Sequence, residues 1–126
     1  MSQELELHLY ELDDETHRLN LVTPAEGYTY TPDDVSNLVA VLANTRAQML
    51  PAIPFESPPI ENMQNVADNP AMRWAYDEMN DRFALLIRHP GHGWIGYSLP
   101  FETVTALQRG LQEVADHRSQ QRQKPN

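Results

Sequence analysis

The chain's densest grouping of chemically capable side chains is Arg88-His89-Pro90-Gly91-His92-Gly93-Trp94. Two imidazoles three residues apart can converge on one ion if a tight turn carries them, and histidine is the commonest metal ligand. A zinc centre, however, needs at least three protein ligands. No HExxH helix and no carboxylate at matching spacing accompanies the pair, so a third ligand would have to come from a distant residue such as His8 or His17. No metal and no cofactor is expected on this count. Arg88 and His92 could instead hold a carboxylate or a phosphate. Arg88, His89 and His92 are therefore the candidate site if the chain is a small enzyme or a ligand- or metal-binding domain.

A conformational account explains more of the same residues. Pro90 presets φ for the first turn position, Gly91 can supply the positive φ that follows, and Gly93 permits a second bend or a bulge. Between one strand ending at Arg88 and another starting at Trp94, this is a hairpin loop. Other catalytic templates are missing: the sequence has no GxSxG, Walker loop, GxGxxG or EF-hand loop, and nothing singles out Ser36, Ser57 or Ser98 as a nucleophile. The 126 residues include no cysteine, which removes disulfides, thiolate nucleophiles and thiolate ligands together. Asp13-Asp14-Glu15 offers oxygen donors for a divalent cation, but a solvated turn accounts for it more simply. The chain is read as leaning away from enzymatic activity.

Charge is the stronger signal. The formal net charge is −9, and residues 1–34 hold nine acids, among them Glu4, Glu6, Glu11, Asp13, Asp14 and Glu15, against Arg18 alone. Such a surface repels phosphate backbones and steers basic proteins toward itself. A protein partner, basic if charge selects it, is expected, and nucleic acid is not. No apolar run approaches the ~18 residues of a membrane span, and the N-terminus is acidic and alternating, so a cytoplasmic protein without membrane contact is expected.

The elements that must position these residues follow from periodicity. ELELHLYEL and HRLNLV alternate with period two around DDET, which predicts a hairpin turning at residues 13–16. Thr31-Pro32-Asp33-Asp34 is a helix start, with a capping hydroxyl, proline in the first turn and carboxylates at the positive end of the dipole. Val35, Leu38, Val39 and Leu42 then recur on one face, predicting a helix over about residues 32–49 that stops at Pro51. Residues 51–70 hold five prolines and no period, which predicts an extended connection. Its apolar residues, including Ile53, Phe55 and Ile60, suggest a segment pinned across the domain.

Alternation resumes at Met72, Trp74 and Tyr76. The run Phe83–Ile87 reads as a central strand covered on both faces, and WIGYSL is a third strand of the same meander. Phe101, Val104, Leu107, Leu111 and Val114 mark a second amphipathic helix over about residues 100–117, followed by a flexible polar tail over 119–126. The fold class expected is α+β: an antiparallel sheet of about five strands with two amphipathic helices packed on it, in the order ββα-loop-βββα, forming a single domain over residues 1–118. Trp74 and Trp94 fit either packing beneath the helices or a sticky sheet face. The functional expectation is a small acidic, non-enzymatic interaction protein of inhibitor, immunity-type or chaperone-like kind. Glu4, Glu6, Glu11, Asp13, Asp14, Glu15, Trp74 and Trp94 are the candidate partner-binding residues.

Overall fold

The computed structural model describes residues 5–24 and 27–124; Glu4 and the N-terminal residues before it lie outside the described part. The order is the expected one: strands β1 (Glu6–Glu11) and β2 (His17–Val22), helix α1 (Pro32–Gln48), strands β3 (Met72–Asp77), β4 (Arg82–His89) and β5 (Gly93–Leu99), and helix α2 (Phe101–Gln123). The class is α+β. The five strands divide between two antiparallel sheets, β1-β2 and β3-β4-β5, rather than joining in one. Alternation fixes which side chains share a face but leaves no mark of which edges meet. Each sheet is closed by its own local hairpins. The chain forms two compact units, Met1–Val66 and Ala67–Asn126.

In unit 1 the hairpin pairs Leu7 with Leu21 and Leu9 with Leu19. Cross-strand partners point to the same side, so these leucines share one face while Glu6, His8, Tyr10, Arg18 and Asn20 share the other. The turn is closed by Leu12 N–H donating to the Thr16 carbonyl at 2.7 Å, with Glu15 at φ 67°. α1 begins in a reciprocal capping box: the Asp34 N–H donates to Thr31 Oγ1 at 3.2 Å, and the Thr31 N–H donates to Asp34 Oδ2 at 3.0 Å. Pro32 opens the first turn, where its missing N–H is no loss.

The connection beyond Pro51 holds a single 3₁₀ turn, Ile60–Asn62, and no strand. Its apolar side chains are not pinned down: Ile53, Phe55, Ile60 and Val66 are exposed. Prolines remove the backbone donors that would tie such a segment to a neighbour.

Unit 2 is the expected meander with β4 in the centre. Its side chains are part-buried from Arg82 to Ile87, short of full cover on both faces. Arg82 joins β4 to β5 by donating from Nε to Ser98 Oγ at 2.7 Å and from Nη2 to the Ser98 carbonyl at 3.0 Å. α2 runs to Gln123, six residues past the end that its apolar period predicts. Ser119-Gln120-Gln121-Arg122-Gln123 contains no apolar residue to extend the stripe, yet glutamine and arginine are good helix formers and continue the ladder.

Among the described residues none is buried, in either unit. The chain exposes 11310 Å². Two separately folded compact chains of half its length would expose about 8,200 Å² between them. Each unit forms an apolar face, but its side chains are at most part-buried.

Candidate interaction surfaces

The loop of residues 90–92 is a structural turn built around His89. His89 Nδ1 accepts the N–H of Gly91 at 2.9 Å and that of His92 at 3.1 Å. The positive φ needed to re-enter the ladder falls on Gly93, at 77°, rather than on Gly91. This is a three-residue hairpin connection with a left-handed residue at its end. The His89 and His92 rings do meet, edge to face with centroids 4.8 Å apart. The Nδ1 lone pair is nonetheless engaged by the turn, and in the neutral ring Nε2 then carries the hydrogen, so neither nitrogen of His89 offers a metal a free lone pair. Among the described residues, no group of three histidines or carboxylates is placed to hold a metal ion. Arg88 stands opposite Trp94 in the ladder.

The two tryptophans do not share a surface. Trp74 pairs with Leu85, which pairs with Tyr97, whereas Trp94 pairs with Arg88, three residues along and so on the other face. One face of the sheet therefore consists of three apolar rows: Met72-Ile87-Ile95, Trp74-Leu85-Tyr97 and Tyr76-Phe83-Leu99. The opposite face carries Arg73, Arg82, Arg88 and Asp77 with Trp94. Core packing does not account for either indole, since Trp74 is 66% and Trp94 49% exposed. Phe101 sets the start of α2 against the apolar face, its ring edge-on to Tyr76 at 5.8 Å.

At the β3-β4 turn, Tyr76 donates its phenolic hydrogen to Asp81 Oδ1 at 2.9 Å. That hydrogen bond, reinforced by the carboxylate's charge, raises the Tyr76 pKa above the ordinary tyrosine value. Asp77 accepts from Asn80 Nδ2 at 2.8 Å, so the acids of this turn serve the turn itself.

Unit 1 contains a groove of about 490 Å³ lined by Leu5 and Leu7 from the hairpin, Tyr28 and Tyr30 from the strand-to-helix connection, and Asp34, Asn37, Leu38 and Val41 from α1. Tyr28 and Tyr30 contact each other edge to face at 4.8 Å. The spacing of the leucines and of α1 announces an apolar face, but nothing local in YTYTP assigns its tyrosines to that groove. Of the acidic candidates, Glu6 and Glu11 lie on β1 and Asp13, Asp14 and Glu15 in the turn, all exposed. Asp14 accepts from the hydroxyl and the backbone N–H of Thr16, and these bonds hold its carboxyl below the usual carboxylate range. It stays ionised at any pH near neutrality.

The charge follows the same division. Unit 1 contains eleven acids against Arg18 and Arg46, while unit 2 contains seven acids and seven bases. All of the net charge thus belongs to the unit with the groove. The chain matches no protein-family model, no curated protein and no solved structure, and its function has to be read from these surfaces.

Proposed function

We propose that the protein is a non-enzymatic interaction module, of inhibitor, immunity-type or chaperone-like kind, whose unit 1 receives a basic segment of another protein. The observation that carries this reading is the coincidence of an open apolar groove with the whole net negative charge of the chain in one unit. Apolar anchors entering between Leu7, Tyr30 and Leu38 would supply affinity, because desolvated aromatic and aliphatic contacts dominate binding energy. Glu6, Glu11, Asp13, Asp14 and Glu15 would speed encounter and select the sign of the partner.

A defined probe tests it: a peptide alternating lysine with leucine, titrated calorimetrically into the full chain. The expected result is binding that weakens with added salt and that is reduced in Leu7→Glu and Tyr30→Ala variants. A peptide with glutamate in place of lysine should not bind, nor should one with serine in place of leucine. Equal binding of the lysine and glutamate peptides, or none of either, overturns the proposal.

A further inference from the structure

We infer that the apolar face of unit 2, together with the exposed stripe of α2, is the interface of a homodimer. Antiparallel sheets ordinarily hide one face and solvate the other. In unit 2 the charged side chains lie on the arginine-bearing face, while on the apolar face Met72, Trp74, Tyr76 and Tyr97 are exposed and the other five residues are only part-buried. α2 meets the sheet at Phe101 and β4 but does not complete the layer. Its stripe continues through Leu107, Leu111 and Val114 at three- and four-residue spacing, with Leu111 62% and Val114 69% exposed. Residues so spaced lie on one side of a helix and form the seam by which helices pair.

The area is of the right size. Aromatic side chains present about 150–250 Å² each. The exposed parts of Met72, Trp74, Tyr76 and Tyr97 with those of the α2 stripe come to on the order of 800 Å², which is one partner's share of a standard stable interface. Monomers rarely show an apolar patch above ~600 Å².

Charge selects a second copy as the occupant. A two-fold interface sets the same patch against itself, so a patch of one sign would repel its own image. The face has no charged residue, and unit 2 as a whole is balanced at seven acids and seven bases. Unit 1, with its large excess of acids, would oppose self-association through its own surface. Self-pairing therefore falls to unit 2 and leaves the unit 1 groove to a different partner.

Sedimentation equilibrium of the full chain over a range of concentrations tests this. The expected mass is twice that of the chain, dissociating on dilution. Leu111→Glu, an exposed position where glutamate suits a helix, and Trp74→Glu should each weaken association by about tenfold or more with the circular dichroism unchanged. The two tryptophans give an internal control. With Trp94→Phe the remaining Trp74 emission should shift to the blue as the dimer forms; with Trp74→Phe the remaining Trp94 emission should not. A chain that stays monomeric at every concentration overturns the inference. So does a dimer whose affinity neither charged variant changes, or one that alters Trp94 emission and leaves Trp74 untouched.

Discussion

His17 and Leu50, 33 positions apart, hold each other by two hydrogen bonds: the Leu50 N–H donates to His17 Nδ1 at 2.7 Å, and the His17 N–H donates to the Leu50 carbonyl at 2.8 Å. The first residue of β2 is thereby stitched to the chain just beyond α1. Arg46 reinforces the same corner by donating from Nη1 to the Pro51 carbonyl at 3.0 Å. Replacing His17 with alanine removes one acceptor and leaves the backbone bond, so a stability loss of about 1 kcal/mol is expected. Native-state hydrogen exchange should show it most clearly at the Leu50 amide, which loses its partner. Unchanged exchange at Leu50 would mean that solvent replaces the imidazole without loss.

This contact explains why some of the fold is legible in the sequence and some is not. Periodicity reports local geometry, so the three hairpins, the Thr31 cap, the central place of β4 and the start of α2 could all be read. The division into two sheets could not, because strand edges are backbone and have no side-chain signature. Alternation likewise places Trp74 and Tyr97 on one face without saying whether anything covers it. His17 and His89 both looked like candidate ligands, and both spend Nδ1 on backbone N–H groups. That role depends on ring orientation, which residue type does not encode. The acidic bias of the N-terminal half was visible at once, whereas the groove in the same unit needs three segments brought together.

His89 is expected to matter for the stability of unit 2 more than its neighbour His92. His89→Ala leaves the Gly91 and His92 N–H groups of the turn to water, with an expected loss of about 1 kcal/mol. His92→Ala removes only a ring contact and should fall within about 0.5 kcal/mol of the parent. Gly93→Ala adds a side chain at φ 77° and should cost about 1–2 kcal/mol. Urea unfolding followed by tryptophan fluorescence ranks the three. A His92 variant as damaged as the His89 variant would argue that the pair, rather than the turn bond, is what the loop protects.

The Tyr76–Asp81 bond makes a prediction at alkaline pH. A phenol whose folded pKa lies above its unfolded value of about 10 contributes stability that is fully present below that value. The contribution is lost as pH rises through the raised folded pKa. The parent should therefore lose stability on the alkaline side as Tyr76 ionises beside a carboxylate, and Tyr76→Phe should lack that part of the slope. An NMR titration of the Tyr76 ring should give a lower midpoint in Asp81→Asn, which removes the charge that opposes ionisation. If the midpoint does not move, Asp81 is not what raises it.

Gly110 tests the helix that bears the dimer seam. It lies in the interior of α2, beside Leu107, Leu111 and Val114 on the helix surface, and a Cβ placed on it would meet no atom within 4 Å. Nothing in its own chain requires a glycine there, while glycine in a helix interior costs about 0.5–1 kcal/mol relative to alanine. In a Leu111→Glu background, where α2 stands alone, Gly110→Ala should raise the melting temperature and the helical circular dichroism by that margin. In the otherwise native chain the added methyl sits at the edge of the proposed interface. There the same substitution should change the dimer dissociation constant as well as the melting temperature, because a second helix approaching Gly110 would feel the methyl. Equal gains in both backgrounds, with association unchanged, would place the second copy away from this edge of α2.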